Sequence, residues 1–110
     1  MRQTAFITGA TSGIGEATAK FFANNKIRLI LCGRRAERLE KLKCELSKFT
    51  EVITLRFDVS KRKEVELAIE SLPESFKQID ILINNAGNAH GLSTIQEGSL
   101  DDWEAMIDIN

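Results

Sequence analysis

Three glycines close to the N-terminus have a spacing that is suited to phosphate binding. Gly9, Gly13 and Gly15 follow the pattern Gly-x3-Gly-x-Gly within residues 8–15. The first permits a sharp turn, the second lets main-chain N–H groups at a helix start approach a pyrophosphate, and the third lets that helix pack closely on a strand. If the loop joins a strand to a helix, the pattern predicts dinucleotide binding rather than a connection without function. The Lys-Ser/Thr pair of a P-loop is absent, which disfavours nucleoside triphosphate hydrolysis.

A second candidate binding element is the pair of arginines in Gly33-Arg34-Arg35. In NAD-binding sheets of this kind, an Asp or Glu ends the second strand and accepts hydrogen bonds from the ribose hydroxyls. Here the second predicted strand is followed by guanidinium groups, which suit the 2′-phosphate of NADP. The alternative is that both arginines belong to the polar first turn of a helix, where the helix dipole disfavours cations. The pair therefore favours NADP over NAD, with Arg34 as the first candidate and Arg35 as the second.

These residues need a scaffold, and the chain alternates strand and helix patterns from its start. The predicted strands span residues 4–8, 27–32, 52–57 and 79–83. The predicted helices span 13–24 and 35–48, followed by a third with the apolar stripe Val65, Ala68, Ile69 and Leu72. Such βαβ units predict an α/β fold, a doubly wound parallel sheet with strand order 3-2-1-4 and ligands at the carboxyl ends of the strands. We also expect a loop over 85–99, a last helix from Leu100, and an unpaired edge on the fourth strand.

The composition limits the class of protein. The chain has 110 residues, of which 43% are hydrophobic and 28% charged, and its formal net charge is -1. This is the length of about one domain, and the charge balance gives no basis for a nucleic-acid or membrane partner. Because no apolar run approaches the ~18 residues of a membrane span and the N-terminal segment lacks signal-peptide features, we expect a cytoplasmic protein. Cys32 and Cys44 lie outside metal-ligand spacing, so neither a metal site nor a disulfide is expected.

Three segments together resemble the short-chain dehydrogenase/reductase family. The glycine pattern of Thr8–Gly15 resembles its cofactor loop, and Asn84-Asn85-Ala86-Gly87 resembles its second signature. The pair Asp58-Val59 after the third predicted strand matches the family's adenine pocket. The segments occur in the family's order along the chain, so the resemblance covers most of its length.

The resemblance implies roles for matching positions. It implies that the pyrophosphate is surrounded by Gly9, Ser12, Gly13, Ile14 and Gly15. It implies that adenine is held by Asp58 and Val59, and that Asn85, Ala86 and Gly87 pass along the ribose. Asn84 is expected to steady the sheet as much as it binds cofactor, and Asn110 aligns with the catalytic asparagine that supports a proton-relay water.

The family's remaining catalytic residues are a Ser and the motif Tyr-x3-Lys, in which the tyrosine exchanges the proton with the substrate oxygen. The chain contains no tyrosine, so of the usual catalytic set the resemblance places only Asn110 here. We therefore expect residues 1–110 to be the N-terminal portion of a single dinucleotide-binding domain. We expect this portion to bind cofactor and to be inactive without the missing general acid.

Within the family, residues 32–39, 71–74 and 101–108 resemble NADP-dependent 3-hydroxy acid (serine) dehydrogenases. The resemblance implies hydride transfer between NADP(H) and the hydroxyl or carbonyl carbon of a small hydroxy or keto substrate, in a homo-oligomer (tetramer or dimer). His90, in the predicted loop, is either solvated or a substrate contact. Two alternatives stay open: a non-catalytic module that senses or binds NADP(H), and a relative of sugar-nucleotide epimerases.

Overall fold

A computed structural model describes residues 2–85 and 95–96 of the chain. The strands are β1 (Thr4–Thr8), β2 (Arg28–Gly33), β3 (Val52–Arg56), β4 (Ile81–Asn84) and β5 (Ile95–Gln96). The helices are α1 (Gly13–Asn24), α2 (Ala36–Leu46) and α3 (Arg62–Glu70), and a 3-10 turn spans Glu74–Phe76. The predicted last helix from Leu100 lies outside the described residues.

The strands form one sheet in the order β3-β2-β1-β4-β5. β1 pairs in parallel with both β2 and β4, and β2 pairs in parallel with β3. The predicted α/β fold and the strand order 3-2-1-4 are therefore confirmed. Because parallel strands all end at the same edge, the carboxyl ends of β1 to β4 meet on one side of the sheet.

The prediction of an unpaired edge on β4 is wrong. Within the predicted loop over 85–99, Ile95 and Gln96 form β5, which pairs antiparallel with Ile83 and Leu82 of β4. A strand of two residues needs only a few main-chain hydrogen bonds, and it is too short to give an alternating apolar pattern.

Apolar side chains cover both faces of the sheet. β1 is buried along its whole length, and its side chains alternate between the two faces, as in any strand. The cluster on the side of α1 and α2 includes Ala5, Ile7, Leu29, Leu31, Ala19 and Leu39. The cluster on the side of α3 includes Phe6, Ile30, Cys32, Leu82, Val65 and Ile69. Burial on both faces fixes the register of the central strands, and with it the positions of the loops that follow them.

The bounds of three elements differ slightly from the predicted ones. β4 begins at Ile81 rather than at residue 79. Just before it, the Asp80 carboxylate accepts from the Thr4 N–H (Oδ2 to N, 2.9 Å) and the Asp80 N–H donates to the Thr4 carbonyl. α2 ends at Leu46 rather than 48, and α3 ends at Glu70, two residues before Leu72. Over the described part of the chain, none of the helices is both long and apolar enough to cross a bilayer.

Candidate functional site

A cleft of about 580 Å³ opens at the carboxyl ends of β1 to β4. Its lining comes from the glycine loop after β1, the start of α2, the segment after β3 and the end of β4. The lining residues are Thr8, Gly9, Thr11, Ser12, Cys32, Gly33, Arg34, Arg35, Arg38, Phe57, Asp58, Val59, Ser60 and Asn85. In the sheet, β2 lies on one side of β1 and β4 lies on the other. The cleft opens beside this point, which is the usual ligand position in such sheets.

The glycine loop is fixed by the carbonyl group of its first glycine. Gly9 has a φ of 59°, a conformation that is strained for residues with a side chain. Its carbonyl oxygen accepts from the Ser12 N–H (3.1 Å), the Ser12 hydroxyl (2.8 Å) and the Asn85 amide nitrogen (3.2 Å). These bonds tie the loop both to the start of α1 and to the end of β4, so its shape is set by the protein itself.

The second and third glycines have different surroundings. A Cβ added at Gly15 would overlap the Gly9 carbonyl oxygen and would lie 3.0 Å from the Ala10 Cα. At Gly13, an added Cβ would meet no protein atom within 4 Å. Protein packing therefore demands a glycine at position 15 but not at position 13, where the main chain faces open space at the first turn of α1. Open main-chain N–H groups at a helix start are suited to an anion.

Ser12 is the N-cap of α1. Its hydroxyl oxygen accepts from the Gly15 N–H (3.4 Å) and from the Asn85 amide nitrogen (2.6 Å). An N-cap hydroxyl satisfies one of the helix's first N–H groups, and the Asn85 amide holds that hydroxyl in place. Next to it, the side chain of Ile14 is 53% exposed, although it is large and apolar.

The ends of β1 and β4 are joined by buried side chains. The Thr8 hydroxyl donates to the Asn84 side-chain oxygen (3.1 Å), and both residues are buried. A hydrogen bond between buried polar groups satisfies atoms that would otherwise be desolvated without a partner. Asn84 therefore acts in the sheet, while Asn85, the next residue, contacts the glycine loop.

Three arginines line the side of the cleft formed by the start of α2. Arg34, Arg35 and Arg38 are all exposed. Arg35 is the N-cap of α2 and its side chain makes no capping hydrogen bond. From the end of β3, Arg56 Nε donates to the Arg34 carbonyl oxygen (3.1 Å), which fixes the main chain at this turn. Together the three guanidinium groups make this side of the cleft strongly basic.

Asp58 and Val59 line the opposite side of the cleft, after β3. Asp58 Oδ1 accepts from the Ser60 hydroxyl (2.7 Å) and the Ser60 N–H (3.0 Å). These two bonds, with smaller effects of the Arg34 and Lys61 charges, outweigh desolvation and lower the pKa of the Asp58 carboxyl. The carboxylate form is thus stabilised, and it is held facing the cleft as a hydrogen-bond acceptor.

Replacing Ser60 by alanine is expected to raise the pKa of Asp58 toward its ordinary value, because the hydroxyl is the largest cause of the shift. A depressed pKa stabilises the fold at pH values above the unfolded-state pKa, and this contribution is lost as the pH falls through the folded-state pKa. The pKa is measured by NMR titration of the side-chain carboxyl carbon. S71A is the control, since the Ser71 hydroxyl donates to Ala68, on α3. An unchanged Asp58 titration in S60A would contradict the assigned cause.

Cys32 lies beneath the cleft at the end of β2. Both cysteines are free, Cys32 being fully buried and Cys44 exposed. Burial raises the pKa of the Cys32 thiol well above its ordinary value, so this residue packs as a neutral apolar group. Among the described residues, no group of three or more His, Cys, Asp or Glu side chains is arranged to hold a metal ion.

The structure brings most of the predicted binding residues to one place. Those that line the cleft are Gly9, Ser12, Arg34, Arg35, Asp58, Val59 and Asn85. Gly13, Ile14 and Gly15 form the adjoining first turn of α1. The predicted residues Ala86, Gly87 and Asn110 lie outside the described residues, as does His90.

The lining residues that sequence reasoning did not assign to binding include Thr11, Arg38 and Ser60. The first is inside the glycine pattern, where its position between Gly9 and Gly13 was a usable signal. Arg38 is not singled out by the Arg-Arg pattern, although it is one helical turn after Arg34. The third follows Asp58 by two residues, a spacing at which a serine often bonds to an Asp side chain.

A family model described as short chain dehydrogenase matches residues 3–110, which is nearly the whole chain. The chain belongs to the short-chain dehydrogenase family. The resemblance seen in the glycine, Asp-Val and Asn-Asn-Ala-Gly segments is thereby confirmed, and the fold described above agrees with it.

Two curated relatives of this short-chain dehydrogenase are 46% identical to it. One is an NADP-dependent 3-hydroxy acid dehydrogenase of Salmonella typhi, aligned over 104 residues, 94% of this chain and 41% of the relative. The other is a serine 3-dehydrogenase of Agrobacterium fabrum, aligned over 110 residues, 100% of this chain and 43% of the relative. The chain thus spans less than half the length of these relatives.

A solved structure of L-sorbose reductase from Gluconobacter frateurii, complexed with NADPH and L-sorbose, has the same fold. It is 34% identical, with a TM-score of 0.75, and the match covers 98% of this chain and 44% of that one.

Proposed function

We propose that this chain forms the cofactor-binding part of an NADP(H)-dependent oxidoreductase. The reaction is hydride transfer between the nicotinamide and the hydroxyl or carbonyl carbon of a small molecule, most specifically a 3-hydroxy acid such as serine. The observation that carries the proposal is that one cleft is lined both by Ser12, the N-cap of α1, and by Arg34 and Arg35. Next to Ser12, the helix start at Gly13 faces open space. A helix start suits a pyrophosphate, and paired arginines suit an additional phosphate.

The described residues fit a dinucleotide with a phosphate on its adenosine ribose. The space at Gly13 admits a phosphate close to the main chain, and the Gly9 carbonyl oxygen is already occupied by three donors, two from Ser12 and one from Asn85. Because these donors already bond to it, the Gly9 carbonyl oxygen would repel a bound phosphate less than a carbonyl oxygen without hydrogen bonds would. On the α2 side of the cleft, Arg34 and Arg35 would hold the 2′-phosphate.

The remaining contacts follow the family resemblance. Asp58, held as a carboxylate by Ser60, would accept a hydrogen bond from the adenine amino group, with Val59 against the ring. Asn85, Ala86 and Gly87 would pass along the ribose, and Asn110 would support a proton-relay water. When bound, NADPH supplies the hydride, and this chain binds and orients its adenosine diphosphate half.

The substrate class is supported by the names of two relatives that are each 46% identical, one acting on 3-hydroxy acids and one on serine. The similarity to L-sorbose reductase supports NADP(H) as cofactor, since that structure contains NADPH.

The test is an assay of the whole natural protein with serine and with 3-hydroxypropionate, comparing NADP and NAD side by side. Oxidation of a 3-hydroxy acid with preference for NADP is the expected outcome. Tight NADPH binding without turnover of any hydroxy acid or keto acid would instead favour the non-catalytic binding module. Failure to bind either dinucleotide would overturn the proposal.

A further inference from the structure

We propose that Arg38 is a third guanidinium contact for the 2′-phosphate and that it sets the strength of the preference for NADP over NAD. The inference rests on the proposed function, and it concerns a residue that the glycine and Arg-Arg patterns do not include. Arg38 is exposed in the first turn of α2 and lines the same cleft as Arg34 and Arg35.

Arg38 faces the glycine loop from the α2 side. It lines not only the main cleft but also an adjoining groove of about 260 Å³ between α1 and α2, and Thr11 lines both spaces as well. The Thr11 hydroxyl would be 3.8 Å from a Cβ added at Gly33. One corner of the cleft is thus enclosed by the end of β2, the glycine loop and Arg38. A phosphate in this corner would be within reach of both the loop and the arginines.

The charges of the described lining residues fully balance a dianion only when Arg38 is included. The lining has three guanidinium groups and one carboxylate, that of Asp58. The Arg34 charge is near enough to Asp58 to act on it, so part of the Arg34 charge is already balanced. A phosphate monoester carries about −1.5 to −2 charges at neutral pH. Arg34 and Arg35 against Asp58 leave one net positive charge, and Arg38 raises it to two.

Arg38 has no ion-pair partner within the described part of the chain. It shares this with the exposed Lys41 and Lys63, whereas Lys20 lies 3.8 Å from Glu16 and 3.7 Å from Glu45, and Arg62 Nε is 3.0 Å from Glu66 Oε1. The positive end of the helix dipole also opposes a cation in the first turn. A phosphate bound beside Arg38 would give its guanidinium group a partner of opposite charge. The same negative charge would offset the repulsion between Arg38 and the helix dipole.

The experiment measures the affinities of the whole natural protein for NADPH and NADH in variants R38Q and R38K. R38Q is expected to weaken NADPH binding about tenfold, the effect of one lost charge-assisted hydrogen bond, and to change NADH binding by less than about twofold. Lysine keeps the charge but not the paired donors, so R38K should lie between R38Q and the unmodified protein. K48Q, which removes an exposed charge after the end of α2, should leave both affinities unchanged.

Adenosine 2′,5′-bisphosphate and adenosine 5′-phosphate repeat the comparison without the nicotinamide half. R38Q should weaken only the first of these two ligands. Equal weakening of NADPH and NADH would assign Arg38 a structural role and overturn the inference, as would an R38Q variant that binds NADPH normally. If the unmodified protein shows no preference for NADPH, the proposed cofactor fails, and this result is distinguishable from a failure of Arg38 alone.

Discussion

Replacing Gly13 by alanine is expected to weaken the binding of NADPH and NADH equally and by at least tenfold, while the protein stays folded. The added Cβ would meet no protein atom within 4 Å, and an alanine inside a helix is favoured over glycine by up to about 1 kcal/mol. Stability should therefore be unchanged or slightly higher. Binding should fall because the methyl group occupies the space that a pyrophosphate needs to reach the main chain.

Gly15 provides the matched control, because the same substitution there meets a different environment. In G15A the new Cβ would overlap the Gly9 carbonyl oxygen and lie 2.9 Å from the Gly9 carbonyl carbon. Both are main-chain atoms, so the free energy of unfolding should fall by about 3 kcal/mol, at the upper end of typical overpacking costs. Urea denaturation and dinucleotide titration of both variants separate the two effects. A G13A variant that binds NADPH as tightly as the unmodified protein would contradict the proposed pyrophosphate position.

Replacing Arg34 by alanine is expected to weaken NADPH binding by about 10- to 100-fold and to leave NADH binding nearly unchanged. A hydrogen bond to a charged group contributes about 1.5–3 kcal/mol, which corresponds to this range at about 1.4 kcal/mol per factor of ten. The 2′-hydroxyl of NADH gains much less from a guanidinium group, so the loss should be specific to the phosphorylated dinucleotide. The expected selectivity distinguishes this variant from G13A, in which both dinucleotides are affected.

Calorimetric titration with both dinucleotides checks the Arg34 prediction. K63A is a suitable control because Lys63 is an exposed cation on α3, a helix that is absent from the lining of the cleft. The salt dependence gives a second measurement: NADPH affinity should depend less on ionic strength in R34A than in the unmodified protein. If R34A weakens NADPH and NADH to the same extent, the arginine has no specific role toward the 2′-phosphate.

The architecture could be predicted from sequence because its signals are local. The segment Thr4–Thr8 is apolar and ends at a glycine, and the stripe of Leu39, Leu42 and Leu46 has helical spacing; all three leucines are buried in the structure. Strand order then follows from the handedness of βαβ crossovers. The cleft residues at the ends of β1, β2 and β3 could be predicted for the same reason, since each comes directly after a strand.

Contacts between distant segments could not be predicted in this way. Asn85 donates to Gly9 and Ser12, which are 76 and 73 residues away, and no spacing rule connects such positions. The arrangement depends on how β4 is placed beside β1, a property of the packed sheet. Arg38 belongs to the same class: its charge is typical of a solvated helix face, and only the position of α2 against the glycine loop brings it to the cleft.

The position of β1 at the centre of the sheet has a consequence during synthesis on the ribosome. Thr4, at the start of β1, contacts Arg28, which is 24 residues further along, and Asp80, which is 76 residues further along. At about 5–20 residues per second, the ribosome synthesises β4 roughly 4 to 15 seconds after β1. Throughout that interval one side of the nascent central strand lacks its neighbour, so the growing polypeptide is exposed to mispairing until translation reaches residue 84.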